Sequence, residues 1–92
     1  MRTHDDTRPA HLDAEDARAV CEAGARFAAD LPGAAWTAFM FALAERGERL
    51  RHAALDAGHG PERARLAVAH FEAAARAKWA WMEAAMGGGT TA

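Results

Sequence analysis

Apolar and small residues recur along this chain at intervals of three and four. Ala17, Val20, Cys21, Gly24, Phe27, Ala28 and Leu31 form one stripe on a helix that turns about 100° per residue. Glu15, Arg18, Glu22 and Arg26 take the opposite face. Asp13 opens this helix, because a carboxylate there can accept from the amide of Asp16, while Glu15 and Asp16 suit the positive helix N-terminus. Pro32 and Gly33 close it, since the residue before a proline is pushed out of the helical region. The spacing predicts a helix over residues 13–31.

A second helix is predicted over 33–57, restarting at Gly33 or Ala34. Trp36, Met40, Leu43, Gly47, Leu50 and Ala54 follow one another at four, three, four, three and four, a heptad-like seam within an arc of about 80°. Gly58, His59, Gly60 and Pro61 then supply a stop, a short turn and a start. A loop this short makes the flanking helices an antiparallel hairpin. The third helix is predicted over 61–86, ended by Gly87, Gly88 and Gly89. Val68, Phe71, Ala75, Trp79, Met82 and Met86 make one of its stripes; Leu66, His70, Ala73, Ala77, Trp81 and Ala84 make a second. Glu62, Arg65, Glu72, Arg76 and Glu83 share a polar arc of only about 80°, so this helix is either central or meets another chain.

The expected fold is all-α: a small three-helix bundle built on the antiparallel hairpin. Its single domain is 13–86, between a flexible arm at 1–12 and a flexible glycine-rich tail at 87–92. Twenty-five helical residues span roughly 38 Å at about 1.5 Å each, against about 30 Å for a compact domain of this size. The hairpin is therefore elongated or broken near Gly47. Glycine costs about 1 kcal/mol in a helix interior but lets a partner approach closely on a seam, and continuity is the expectation.

Composition changes the picture of the core. Alanine supplies 27 of the 92 residues, whereas Leu, Phe, Met, Trp, Val and Cys together make 20. Alanine buries little area, so the core is thin for the chain length. Ser, Asn, Gln, Ile and Tyr are missing altogether, which removes serine nucleophiles, tyrosine acids and amide base-readers. The net charge is −2, with no segment of one sign that suits nucleic acid or a membrane surface. Arg46, Arg49, Arg51, Arg63 and Arg65 gather toward the hairpin turn, but Glu45, Glu48, Asp56 and Glu62 offset them and counterion release would be slight. Ten Arg against one Lys goes with the depletion of Asn, Ile and Tyr as the mark of GC-rich coding. Cys21 stands alone, so neither an internal disulfide nor a cysteine zinc site is expected. With no stretch near the roughly 18 apolar residues a span requires, and no resemblance to a signal peptide, the expected compartment is a reducing cytoplasm.

Chemistry is sought first among five histidines. Glu48, His52 and Asp56 form a row at intervals of four, which reads as two metal ligands on one face or as a solvated row of helix pairs. A di-iron bundle wants Glu-x-x-His on two helices, and that motif does not occur. No catalytic residue, cofactor or metal site is expected. The informative outliers are large side chains. Phe41 and Leu55 project away from the seam of the second helix, about 100–160° around it. His70 and Trp81 flank small alanines on the second stripe of the third helix. Trp36, Trp79 and Trp81 belong to the residue type most enriched at binding hot spots. The candidate partner-binding residues are thus Trp36, Phe41, Leu55, His70, Trp79 and Trp81.

The run Trp36-Thr-Ala-Phe-Met-Phe-Ala-Leu-Ala-Glu-Arg-Gly47, followed by Arg51-His-Ala53, is similar to the helical N-terminal region of nitrile hydratase β subunits and their small activator proteins. That resemblance implies an accessory subunit of a larger metalloenzyme. The aromatic-rich segment that usually follows the glycine in that family, and its later Tyr-Tyr-x-x-Trp motif, do not occur here. No functional residue is carried over. The expectation from the residues themselves is a non-enzymatic adaptor or inhibitor that binds a protein partner and self-associates, as a homo-oligomer or within a larger complex. A weak metal- or ligand-responsive bundle is the remaining alternative.

Overall fold

The computed structural model describes residues 12–31 and 33–91, with side chains through Ala85. Residues 1–11 of the arm expected at 1–12, the stop at Pro32 and the last residue, Ala92, lie outside the described residues. Three helices follow in order: α1 (Ala14–Ala29), α2 (Trp36–Asp56) and α3 (Pro61–Thr91). Among the described residues there is no strand. The fold is a small all-α bundle in which α1 and α2 both pack against α3.

Local sequence accounts for most boundaries. Asp13 is the N-cap of α1 with extended backbone, and its carbonyl accepts from the Ala17 amide at 2.8 Å. The expected bond from its carboxylate is not formed; the first turn is served by the charges of Glu15 and Asp16 facing the helix dipole. α1 ends at Ala29, two residues earlier than predicted, with Asp30 as its C-cap. The second helix starts later than predicted. Gly33 has φ +77°, a left-handed conformation that cannot belong to a right-handed helix, and Ala35 is still extended at φ −66°, ψ 152°.

The hairpin turn is as the sequence predicts. Gly58 sits just past the Ala57 C-cap with φ +98°. Its amide donates to the Leu55 carbonyl and that of His59 to Ala54, each at 3.0 Å, which is the Schellman arrangement that satisfies the last carbonyls of a helix. Pro61 begins α3, where its missing N–H costs nothing, and the Gly60 carbonyl accepts from Ala64 at 2.9 Å. At its other end α3 runs to Thr91 instead of stopping at Met86. Each glycine of the Gly87–Gly89 run weakens a helix by about 1 kcal/mol, but no proline or left-handed cap is there to terminate it.

α2 is continuous through Gly47, so the bundle is elongated, with extents of 60 × 22 × 16 Å. The core comprises Phe39, Leu43, Phe71, Ala28 and Ala75, surrounded by Val20, Phe27, Leu31, Ala34, Met40, Leu50 and Trp79. Phe39 is the correction to the predicted seam. It lies about 20° outside the predicted arc, yet it is wholly buried while Trp36, on that arc, is 47% exposed. α2 is rolled toward Phe39 because that ring completes an aromatic cluster with Phe27 and Trp79. On α3 the stripe of Phe71, Ala75 and Trp79 faces the core, whereas Ala73, Ala77, Trp81 and Ala84 of the second stripe are exposed.

Two glycines mark the helix contacts, and they differ in kind. A Cβ on Gly24 would run into the carbonyl oxygen of Phe71, with the carbonyl carbon at 3.1 Å and the Ala74 Cβ at 3.3 Å. Backbone blocks that site. A Cβ on Gly47 would meet the Glu72 carboxylate at 2.8 Å and a Val68 methyl at 3.3 Å; the carboxylate is the far end of a flexible side chain and can swing away. Gly24→Ala is therefore expected to destabilise by roughly 1–3 kcal/mol through overpacking. Gly47→Ala is expected to stay within about 1 kcal/mol of the parent, helix propensity offsetting the shift. Thermal unfolding followed by circular dichroism separates the two; equal losses would contradict this account.

Candidate interaction surfaces

Five of the seven aromatic rings form one connected cluster at the end of the bundle away from the hairpin turn. Trp36 of α2 meets Trp79 of α3 at 4.8 Å between ring centroids, and Phe39 lies 5.9 Å from Trp36 and 5.5 Å from Trp79. Phe27 of α1 joins through Phe39 at 6.2 Å and Phe71 at 5.7 Å. These separations suit tilted and offset ring pairs. The Arg46 guanidinium caps the cluster, 5.3 Å from the Phe27 ring centre.

The two remaining rings stay outside. Phe41 is 75% exposed and Trp81 64% exposed, and the Lys78 ammonium lies 4.5 Å over the Trp81 ring. Phe41 is turned about 140° from Trp36 around α2, and Trp81 about 160° from Trp79 around α3. The exposed aromatics thus surround one end of the bundle and do not form a single patch. Leu55 is half-buried near the hairpin turn, roughly 21 Å along the helix from Phe41. His70 is half-buried in mid-α3, where its backbone carbonyl lies 4.0 Å from the Cys21 thiol. Of the six residues singled out from sequence, the structure brings Trp36 and Trp79 into contact, sets Phe41 and Trp81 near them on other faces, and separates Leu55 and His70.

The charged row on α2 is organised by arginine. Arg51 donates to Glu48 at 2.5 Å, His52 lies 3.7 Å from the same carboxylate, and Arg51 is 3.2 Å from the His52 ring nitrogen. Among the described residues no group of three or more His, Cys, Asp or Glu is placed to hold a metal ion. Elsewhere Arg63 of α3 donates to Asp16 of α1 at 2.6 Å, tying those helices near the hairpin turn. Glu62 with Arg65, and Glu72 with Arg76, pair along α3.

Sequence reasoning missed a trough between α1 and α2, floored by α3. One compartment of about 420 Å³ is lined by Leu12, Asp16, Ala19, Val20, Leu50, Ala53, Ala54, Ala57, His59, Arg63 and Ala67. A second, of about 320 Å³, is lined by Val20, Ala23, Arg46, Arg49, Leu50 and Phe71. They share Val20 and Leu50. The signal in the sequence is alanine at intervals of four on both rims, Ala19 with Ala23 and Ala53 with Ala57.

Comparison with known protein families, with curated proteins and with solved structures finds no match. No helix among the described residues is long and apolar enough to cross a membrane.

The Arg51 hydrogen bond and charge hold the Glu48 carboxyl below its ordinary value of 4.5, with a smaller pull from His52, and Glu48 in turn raises Arg51. Because the folded value is the lower one, the pair's contribution is present above the ordinary value and is lost as pH falls through the folded value. A carbon-detected NMR titration is expected to place the Glu48 midpoint below the ordinary glutamate value, and Arg51→Gln to bring it back. Both side chains are exposed, so the melting temperature should hardly change.

Proposed function

We propose that this chain is a non-enzymatic interaction module of a reducing cytoplasm, which binds protein partners, a second copy of itself included, around the aromatic end of its bundle. The observation that carries this reading is the exposure of Trp36, Phe41 and Trp81 in a chain that has few large apolar side chains. Covering such a side chain is worth about 1.5–3 kcal/mol, and tryptophan anchors are the commonest hot spots of protein interfaces. A thin core makes leaving these groups in water the more costly for the isolated chain.

α3 adds to the case. Its Trp79 meets Trp36, the first residue of α2, and α3 continues from there to Thr91. About 18 Å of helix extends beyond the start of α2, and the part with described side chains includes exposed Ala80, Trp81, Ala84 and Ala85. Small residues beside one large ring suit helix-to-helix docking, because a ring can enter the space the alanines leave.

Sedimentation velocity over the micromolar range is expected to show a reversible dimer. Trp81→Ala and Phe41→Ala are expected to shift it toward monomer and, at concentrations where the parent is itself monomeric, to leave the melting temperature unchanged, since neither ring is buried within the chain. A chain that stays monomeric throughout that range, with acrylamide quenching of its tryptophans independent of concentration, would remove self-association from this reading.

A further inference from the structure

We infer that the trough between α1 and α2 is a binding site for an amphipathic monoanion, a single acyl chain ending in a carboxylate. The two compartments share Val20 and Leu50 as lining residues and are taken end to end as one half-open channel. From Arg46 to Ala57 it follows α2 for about 16 Å. Its walls are alanine, Val20 and Leu50, and Phe71 contributes to its floor. Such walls offer dispersion contact and exclude water without asking for a polar partner, as ligand sites commonly do.

Charge selects the head group. The residues that line the trough include three arginines and one acid, Asp16, in a chain whose net charge is −2. Asp16 is engaged by Arg63 at 2.6 Å, so the end near His59 is already neutralised. Arg46 and Arg49 stand at the other end, one turn apart on α2. Neither forms an ion pair among the described residues: Arg46 rests on the Phe27 ring, and Arg49 is exposed. A guanidinium presents a planar fork that matches a carboxylate. The carboxylate is thus held by Arg49, with Arg46 beside it, and the acyl chain lies along Val20, Leu50, Ala53 and Ala57 toward Asp16 and Arg63.

Calorimetric titration of the full chain tests this, with sodium decanoate below its micellar range as the probe and decanol and decyltrimethylammonium as controls. Decanoate is expected to bind one per chain, several-fold tighter than decanol, and the cationic amphiphile not at all. Octanoate is expected to bind roughly tenfold more weakly than decanoate, from the loss of two buried methylenes. Arg49→Gln should weaken decanoate about fivefold, the scale of an exposed ion pair, while leaving decanol unchanged. Ala53→Leu, which fills the trough from an exposed position, should abolish both. Decanoate and decanol binding alike, an unchanged decanoate affinity in Arg49→Gln, or several molecules bound per chain would overturn the assignment. Those readouts stand even if Ala53→Leu fails to fold. The dimer is read separately by sedimentation, so failure of either result leaves the other intact.

Discussion

Gly24 presses its backbone against the carbonyl of Phe71, and the arrangement of the other helices follows from that contact. An alanine-rich chain cannot hold helices together with interdigitated large side chains, so it gains contact by shortening the distance between axes. The residues of α1 at its closest approach to α3 are small: Cys21, Gly24 and Ala28. Close approach multiplies weak dispersion contacts, each worth about 0.1–0.2 kcal/mol, along two helices lying nearly backbone to backbone. The same closeness orients Phe27 and Phe71 into one another at 5.7 Å. It also sets the platform on which α2 must dock.

α2 docks by a different rule. Its buried positions are Phe39, Leu43 and Gly47, large at one end and absent at the other. Near the start of α2, rings from all three helices fill the space; near the middle, Gly47 lets α3 come close enough for Val68 and Glu72 to touch it. Beyond Gly47 the apolar groups available are Leu50, Ala54 and Leu55, all only partly buried. The bundle is therefore wedge-like in its chemistry, aromatic at one end and alanine-lined at the other, with the Asp16 to Arg63 pair holding the second end together.

How much of this was legible in the chain depends on whether one helix or two decides a feature. The hairpin was legible because Gly58 and Pro61 impose their backbone geometry locally, whatever packs around them. The periodicity of α3 offered two apolar stripes without choosing between them; packing against α1 and α2 turns the one with Phe71, Ala75 and Trp79 inward. The burial of Phe39 was not legible. Periodicity ranks positions within an arc of about 80°, and the 20° roll that buries Phe39 in place of Trp36 is set by Phe27 and Trp79 on other helices. The stop at Gly87 failed for the opposite reason: glycine lowers helix stability without prohibiting the helix. Of the candidate surface residues, Phe41 was legible as a misfit to its seam and Trp81 as the one indole ring among alanines on its stripe, whereas the trough leaves only alanines at intervals of four on each rim, a signal too common in an alanine-rich chain to point to a gap between helices.

Alanine acts in opposite senses at the two faces of α1. Where it faces α3 it meets backbone, and its small size closes the gap. Toward α2 it faces other alanines across a gap that neither rim can bridge, because Ala19 and Ala23 on one side oppose Ala53 and Ala57 on the other. Closing that gap would require pulling α1 off the Phe71 carbonyl or rolling α2 away from the buried Phe39, and each would sacrifice a filled interface to fill an empty one. Five of its seven rings belong to the aromatic cluster and the other two, Phe41 and Trp81, are exposed; neither of those two lines the trough, and Phe71 reaches only its floor. The void is thus a direct consequence of the best-packed contacts in the molecule, and Arg46 and Arg49, which form no ion pair among the described residues, stand at its edge.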